Sequence, residues 1–291
     1  MHVLLTGASG TVGRFVLARL LEEGRKVTVL GRKPVAGFEA DLRPYDLADP
    51  DLHLPEADAL VHCALMHEPG RFRGGEGDDP DRFRALNVGG TRALFLAARD
   101  AGCRQAVFLS SRAVYGDHRD SAVLKETDTP EPDTLYGEVK LAGEEALKAL
   151  CGPGFRGTVL RATGIYGVPP GLAEHKWSGL FRDFSSGLPI APRKGTEVHG
   201  YDLAAAVSLA LNTLPEDPFE IYNVSDILID RRELLRLYAL EKGLDPALPE
   251  TAETVPGEMS TDRLRSLGWS PGGWKKLKAF LRSLPSAEFL R

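Results

Sequence analysis

The chain has 291 residues, 43% of them hydrophobic and 26% charged, with a formal net charge of −5, which suits one large α/β domain with a smaller lobe. The acidic balance argues against general nucleic-acid binding and against an anionic membrane surface, and no apolar run reaches the ~20 residues of a membrane span. Cys63, Cys103 and Cys151 are scattered without a CxxC pair and the histidines show no HExxH spacing, so free thiols in a reducing cytoplasm and no metal site are expected.

The opening residues lead straight into a strand pattern, Val3-Leu4-Leu5, and no signal peptide is expected. Gly7, Gly10 and Gly13 follow, then an apolar helical run from Phe15. Strand, glycine turn and helix together bind a dinucleotide pyrophosphate: backbone N–H groups approach the phosphates and the helix N-terminus adds partial positive charge. Gly7, Ser9, Gly10, Thr11, Val12 and Gly13 are therefore the candidate cofactor cradle. The spacing is G-x-x-G-x-x-G, looser than the common G-x-G-x-x-G.

Gly24 ends the helix, and Lys26–Leu30 is the second expected strand. After that strand an acidic residue would hold the ribose 2′-OH of NAD. Gly31-Arg32-Lys33 stands there instead. Two cations suit a 2′-phosphate, with Arg14 as a third, so NADP is expected ahead of NAD. Asp58–Ala64 is another strand running into a small-residue turn, and residues 68–80, rich in glycine and charge, form a loop that either flanks the substrate pocket or is a surface insertion. A helical pattern covers 81–101. Its Gly89-Gly90 pair implies close packing, because each glycine in a helix costs about 1 kcal/mol relative to alanine.

Gln105–Leu109 is a buried-strand run ending in Ser110-Ser111-Arg112-Ala113-Val114-Tyr115-Gly116. Tyr136 and Lys140 begin the next helix and, four residues apart, share one face. Free tyrosine titrates at about 10 and is a poor acid-base group near neutrality. A neighbouring ammonium stabilises the phenolate. Ser111, Tyr136 and Lys140 are the candidate catalytic residues: Ser111 holds the substrate oxygen, Tyr136 moves its proton, and Lys140 tunes Tyr136 and holds the cofactor ribose. Tyr115 is expected to line the pocket, and Ser110 and Arg112 to be packing or surface residues.

Taken together, TGASGTVG, SSRAVYG and YGEVK resemble the extended short-chain dehydrogenases/reductases, the group that includes nucleotide-sugar epimerases and dehydratases. The resemblance implies a Rossmann-type doubly wound parallel sheet over 1–167, with 198–225 returning to it. It places a smaller substrate-binding lobe mainly in 168–291. It further implies Asp46-Leu47 at the adenine, the turn at Cys63-Ala64 beside the dinucleotide, Asn87 of N-V-G-G-T among the cofactor residues, and a homodimer through the helices bearing Asn87 and Tyr136. Thr158–Arg161, His199–Ala204 and Leu267–Pro271 match later motifs of the group, with Asp202 structural. His175, Lys176 and Trp177 form either a pocket wall or an exposed turn.

Two departures stand out. Nucleotide-sugar enzymes of the group carry an asparagine after the LR strand, where this chain has Gly164, and an arginine ahead of the H-V-x-D element, where it has Gly195 or Lys194. The clamp for a nucleotide diphosphate is weakened. The expected function is NADP-dependent oxidation or reduction of a small substrate, with a nucleotide-sugar epimerase or dehydratase and a non-catalytic NADP sensor as alternatives.

Overall fold

The computed structural model describes residues 1–49, 52–67, 75–117, 122–213 and 217–285. The chain first alternates strand and helix: β1 (His2–Thr6), α1 (Thr11–Glu22), β2 (Lys26–Leu30), β3 (Asp41–Arg43), β4 (Ala59–His62), α2 (Pro80–Arg84), α3 (Gly90–Asp100), β5 (Gln105–Ser111), β6 (Val123–Leu124), α4 (Leu135–Lys148) and β7 (Arg156–Ala162). It continues through β8 (Gly164–Tyr166), α5 (Ser178–Ser185), β9 (Lys194–His199), α6 (Gly200–Asn212), β10 (Phe219–Val224), β11 (Ile227–Asp230), α7 (Arg231–Lys242), β12 (Glu258–Met259), α8 (Asp262–Ser266) and α9 (Gly273–Ser283).

Seven strands form one sheet in the order β3-β2-β1-β4-β5-β7-β10, each pair parallel. Winding runs outward in both directions from the β1/β4 pair, and ligands bind beyond the strand ends at such a reversal. The central strands β1, β4 and β5 are nearly continuous apolar runs because helices cover both faces. Phe15 and Leu17 of α1 and Leu203 and Val207 of α6 seal one face. Leu94 and Phe95 of α3 and Leu147 of α4 seal the other. This is a Rossmann-type α/β fold.

A second sheet, β11-β9-β8, sits with α5, α7 and α9 around a separate aromatic core. Phe181 and Tyr238 stack there with ring centres 4.0 Å apart. β12 pairs with β6 in a third, two-stranded sheet, so the chain's last quarter returns to the segment between β5 and α4.

The helical pattern over 81–101 is broken in the structure. A π-helical turn at Ala85–Gly89 separates α2 from α3. Asn87 in this turn donates to the Phe83 carbonyl (2.9 Å) and the Met66 carbonyl (3.0 Å) and accepts from the Met66 N–H (2.8 Å). Of the glycine pair, only Gly90 is forced by packing: a Cβ there would lie 2.3 Å from the Leu47 carbonyl oxygen, whereas Gly89 has open space. The expected 68–80 loop falls outside the described residues up to position 74. Its described end leads into α2, where Asp79 caps the Arg82 N–H at 2.9 Å.

Candidate active site

The glycine turn lies at the C-terminal end of β1. Gly7 has φ +69°, and a Cβ on it would come within 2.6 Å of the Ala64 nitrogen. A Cβ on Gly13 would come within 2.1 Å of the Gly7 carbonyl oxygen. First and third glycines are thus required by backbone against backbone. Gly10 is exposed and has room, and no side chain caps α1 there. The leading N–H groups of α1 are left for an anion, flanked by exposed Ser9 and half-buried Thr11 and Val12. The cradle fits a dinucleotide pyrophosphate.

The floor beside it comes from β4. His62 is fully buried, with Nδ1 2.7 Å from Thr6 Oγ1 and Nε2 2.9 Å from Thr91 Oγ1. Burial, helped by the Lys140 charge, pushes its pKa down to about 3, so the ring is neutral and structural. The Ala64 N–H donates to Thr6 Oγ1 at 3.2 Å, fixing the turn over the cradle. Burial pushes the Cys63 thiol up to about 12, so it packs and does not act as a nucleophile.

Three expected cofactor residues have other duties. Arg14 is not free for a 2′-phosphate: its guanidinium donates to the carbonyls of Ser9 (3.2 Å), Ala36 (3.0 Å) and Pro170 (2.9 Å). Convergence of three backbone carbonyls draws it in and ties the turn to both lobes. Asp46 accepts from the Ala48 N–H at 3.0 Å in a local turn, with Leu47 buried against Gly90. The Asn87 amide holds Met66, so its visible role is to fix the turn beyond Ala64. Arg32 and Lys33 stand exposed just past β2.

Two of the catalytic candidates are on α4, which packs against β5, and the third ends β5. Ser111 ends β5, and its Oγ accepts from the Ala113 N–H at 3.2 Å. Thr134 caps α4 through the Gly137 N–H at 3.1 Å. Gly137 lies against the Ala113 carbonyl, where a Cβ would sit 2.5 Å from the oxygen. One turn on, Lys140 Nζ donates to the Leu109 carbonyl at 2.8 Å and lies 6.0 Å from the centre of the Tyr136 ring. Along the chain Ser111 falls between Leu109 and Ala113, the two residues that α4 touches, and half-buried Tyr136 directly precedes Gly137, the first of the contacting helix residues. Burial pushes the Lys140 pKa down to about 8, opposed by Cys63 and Glu144. Its proton is held near its tipping point, which suits a group that tunes a phenol.

Beneath this cluster is an ion pair that sequence reading missed. Arg161 of β7 donates to Glu144 of α4 from Nη2 (2.7 Å) and Nε (3.0 Å), and Ser110 donates to the same carboxylate at 2.5 Å. Glu144 follows Lys140 by four residues, the spacing that signals a shared face. Tyr115 is fully buried rather than in the pocket wall: its hydroxyl donates to Asn223 Oδ1 at 2.8 Å, and its ring lies 4.8 Å from the Arg161 guanidinium carbon. Arg112 is buried too, donating to the Gly257 carbonyl and Asp117.

The second lobe adjoins the same strand ends. Ala162 of β7 pairs with Ser111, and Thr163 then bonds both Val224 and Thr196. Gly164, next in line, is the Cα partner of Glu197 on β9. Lys176 donates to both Glu197 oxygens, at 2.5 and 2.6 Å. His175 and Trp177 belong to the aromatic core, with burial pushing His175 down to about 4. Asp202 is structural: it accepts from Lys276 at 2.6 Å and from the Gly272 N–H at 3.1 Å, and its carbonyl takes the Trp269 indole N–H at 2.8 Å. Among the described residues no cluster of His, Cys, Asp and Glu could hold a metal ion, and no helix is long and apolar enough to cross a membrane.

Residues 3–225 match the family described as NAD dependent epimerase/dehydratase. The chain belongs to that family. It is 29% identical to the UDP-glucose 4-epimerase of Yersinia pestis over 204 residues, which cover 65% of this chain and 58% of that protein. It is also 29% identical to the Streptococcus mutans UDP-glucose 4-epimerase, over 93% of this chain and 92% of the relative. Among solved structures, MoeE5 in complex with UDP-glucose and NAD superposes with a TM-score of 0.80 at 25% identity, covering 98% of both chains.

Proposed function

We propose that this chain catalyses nicotinamide-dependent hydride transfer at a secondary hydroxyl of a sugar-type substrate. The contact of α4 with β5 supports this reading: Lys140 lies 6.0 Å from the centre of the Tyr136 ring and bonds the Leu109 carbonyl, two residues before Ser111 on the same strand. When bound, the nicotinamide dinucleotide supplies the hydride acceptor and donor. Ser111 hydrogen-bonds the substrate oxygen and fixes its position. Tyr136 takes the hydroxyl proton as a ketone forms and returns it on reduction. Lys140 stabilises the phenolate and, through its bond to Leu109, is itself held in register.

Likeness to epimerases favours return of the hydride in the same site over the net oxidation or reduction expected from the sequence. Net oxidation remains the second reading, favoured by Gly164 and by Gly195 or Lys194 ahead of β9's end, which weaken a nucleotide clamp. NAD is the better-supported cofactor, because MoeE5 was solved with NAD and because Arg14, one of the three cations behind the NADP expectation, is engaged elsewhere. A larger thermal shift with NADH than with NADPH is expected, and the reverse would restore the NADP reading. A homodimer through the helical segments bearing Asn87 and Tyr136 is the proposed assembly, to be checked by light scattering.

The deciding experiment is Tyr136→Phe. Epimerisation of UDP-hexoses and NAD reduction by free hexoses are followed in parallel. Whichever the wild type performs should fall by about 10²–10⁴ in kcat, with the NADH thermal shift kept. Undiminished turnover in the variant would end the proposal.

A further inference from the structure

We infer that the Lys176–Glu197 pair selects a hydroxyl-bearing substrate that carries no nucleoside diphosphate. This rests on the hydride-transfer reading above and names the substrate class of that site.

The pair stands next to the catalytic strand ends. Gly164 lies two residues past Ala162, which is paired in register with Ser111. A Cβ on Gly164 would come 2.3 Å from Lys176 Nζ and 2.5 Å from Glu197 Oε2. The volume a side chain at 164 would enter is therefore filled by an ammonium and a carboxylate from two other segments. Glu197 is sealed in, its side chain 9% exposed, while Lys176 is 34% exposed. The nearby Gly195 contributes no donor.

The charge arithmetic of this corner is balanced. An ammonium has three donors, and two go to Glu197, leaving one. The carboxylate keeps lone pairs beyond those two bonds. With Glu197 sealed behind it, the corner presents the one remaining ammonium donor with its charge compensated, which suits a neutral hydroxyl oxygen better than an anion. A diphosphate brought to Lys176 would meet an anion 2.5 Å behind the cation. That anion repels it, and withdrawing the lysine to serve the diphosphate would strand a buried carboxylate. Arg193, exposed ahead of β9, is the other cation Glu197 senses, but it leaves the contact between Lys176 and Glu197 intact.

The test is UDP titrated calorimetrically into the NAD-loaded protein, with Lys176→Met, Glu197→Gln and the double variant. UDP should bind the wild type more weakly than roughly 1 mM and Lys176→Met no better. Glu197→Gln should tighten UDP by about tenfold or more by uncovering the lysine, and the double variant should return to wild-type weakness. Micromolar UDP binding by the wild type would overturn the inference, whether or not Lys176→Met abolishes it. So would a Glu197→Gln protein that folds and gains nothing. Should a single variant not fold, the double variant leaves no buried charge unpaired and carries the test: KM for any free hexose turned over should rise with kcat kept, and an unchanged KM would overturn the inference. Binding of UDP needs no turnover, so this result is separate from that of Tyr136→Phe.

Discussion

Gly13 and Gly164 would both admit a methyl group only by collision, yet the two collisions differ in kind. At Gly13 the obstacle is the Gly7 carbonyl, part of a turn closed on β4. At Gly164 it is the free end of a lysine and the tip of a glutamate. The ion pairs beneath each region differ in the same sense. Glu144 and Arg161 are 3% and 2% exposed, whereas Lys176 is one-third exposed. The cofactor half is fixed by main chain and sealed charge. The substrate corner is filled by side chains with room to move, so one family plan can keep its chemistry while changing what it recognises.

The largest effect that would sharpen this contrast is expected from Glu144→Ala. It leaves Arg161 buried without its partner, and losing one member of such a pair costs about 3–5 kcal/mol; chemical denaturation measures it. Gly13→Ala follows, at about 3 kcal/mol, the upper end of ordinary overpacking, together with loss of the NADH thermal shift. A Gly13→Ala protein that binds NADH normally would break the comparison.

Acid should strain both regions by way of neutral histidines. Burial is the leading cause that holds His62 near 3 and His175 and His199 near 4, against an ordinary value of 6.5. The unfolded chain takes up these protons first as pH falls. Stability is therefore complete above pH 6.5 and declines toward pH 4 and then 3, by about 1–2 kcal/mol per ring at pH 5. Melting curves from pH 7.5 to 5 read the slope, and His62→Asn should flatten it. A flat profile in the wild type would show the rings protonated in the fold. Smallest of all, Gly164→Ala should cost about 1 kcal/mol, because the tips of Lys176 and Glu197 can shift together with their contact kept, where main chain cannot. A loss as large as that of Gly13→Ala would erase the distinction.

This contrast also explains what the sequence made legible. The strand–turn–helix at 2–22 was readable because Gly7 and Gly13 answer to a neighbour a few residues away or to one recurring strand end. Tyr136 and Lys140 were readable because one helical turn puts them on one face. Lys176 stands out in the sequence without its partner: the pairing with Glu197 was not readable, since 21 positions and a helix separate the two. The Arg14 tie to Pro170 spans 156 positions and was hidden for the same reason. Tyr115 misled because a motif tells where a residue falls along the chain, while its burial depends on Arg161 and Asn223 arriving from distant strands. The break at Ala85–Gly89 was missed because periodicity records apolar faces and not a hydrogen bond made to Met66.

β10 joins the sheet by lying against β7, with Phe219 opposite Gly157 and Val224 opposite Ala162. All of the second sheet's β8 and β9 is synthesised between those two strands. A nascent chain therefore exposes an apolar, unpaired β7 margin until its final quarter emerges from the ribosome. Such a margin recruits other copies edge to edge. Yield on expression should thus depend on how promptly 219–224 docks, and truncations ending before Val224 should aggregate even though every residue of the glycine turn and of the tyrosine helix is present.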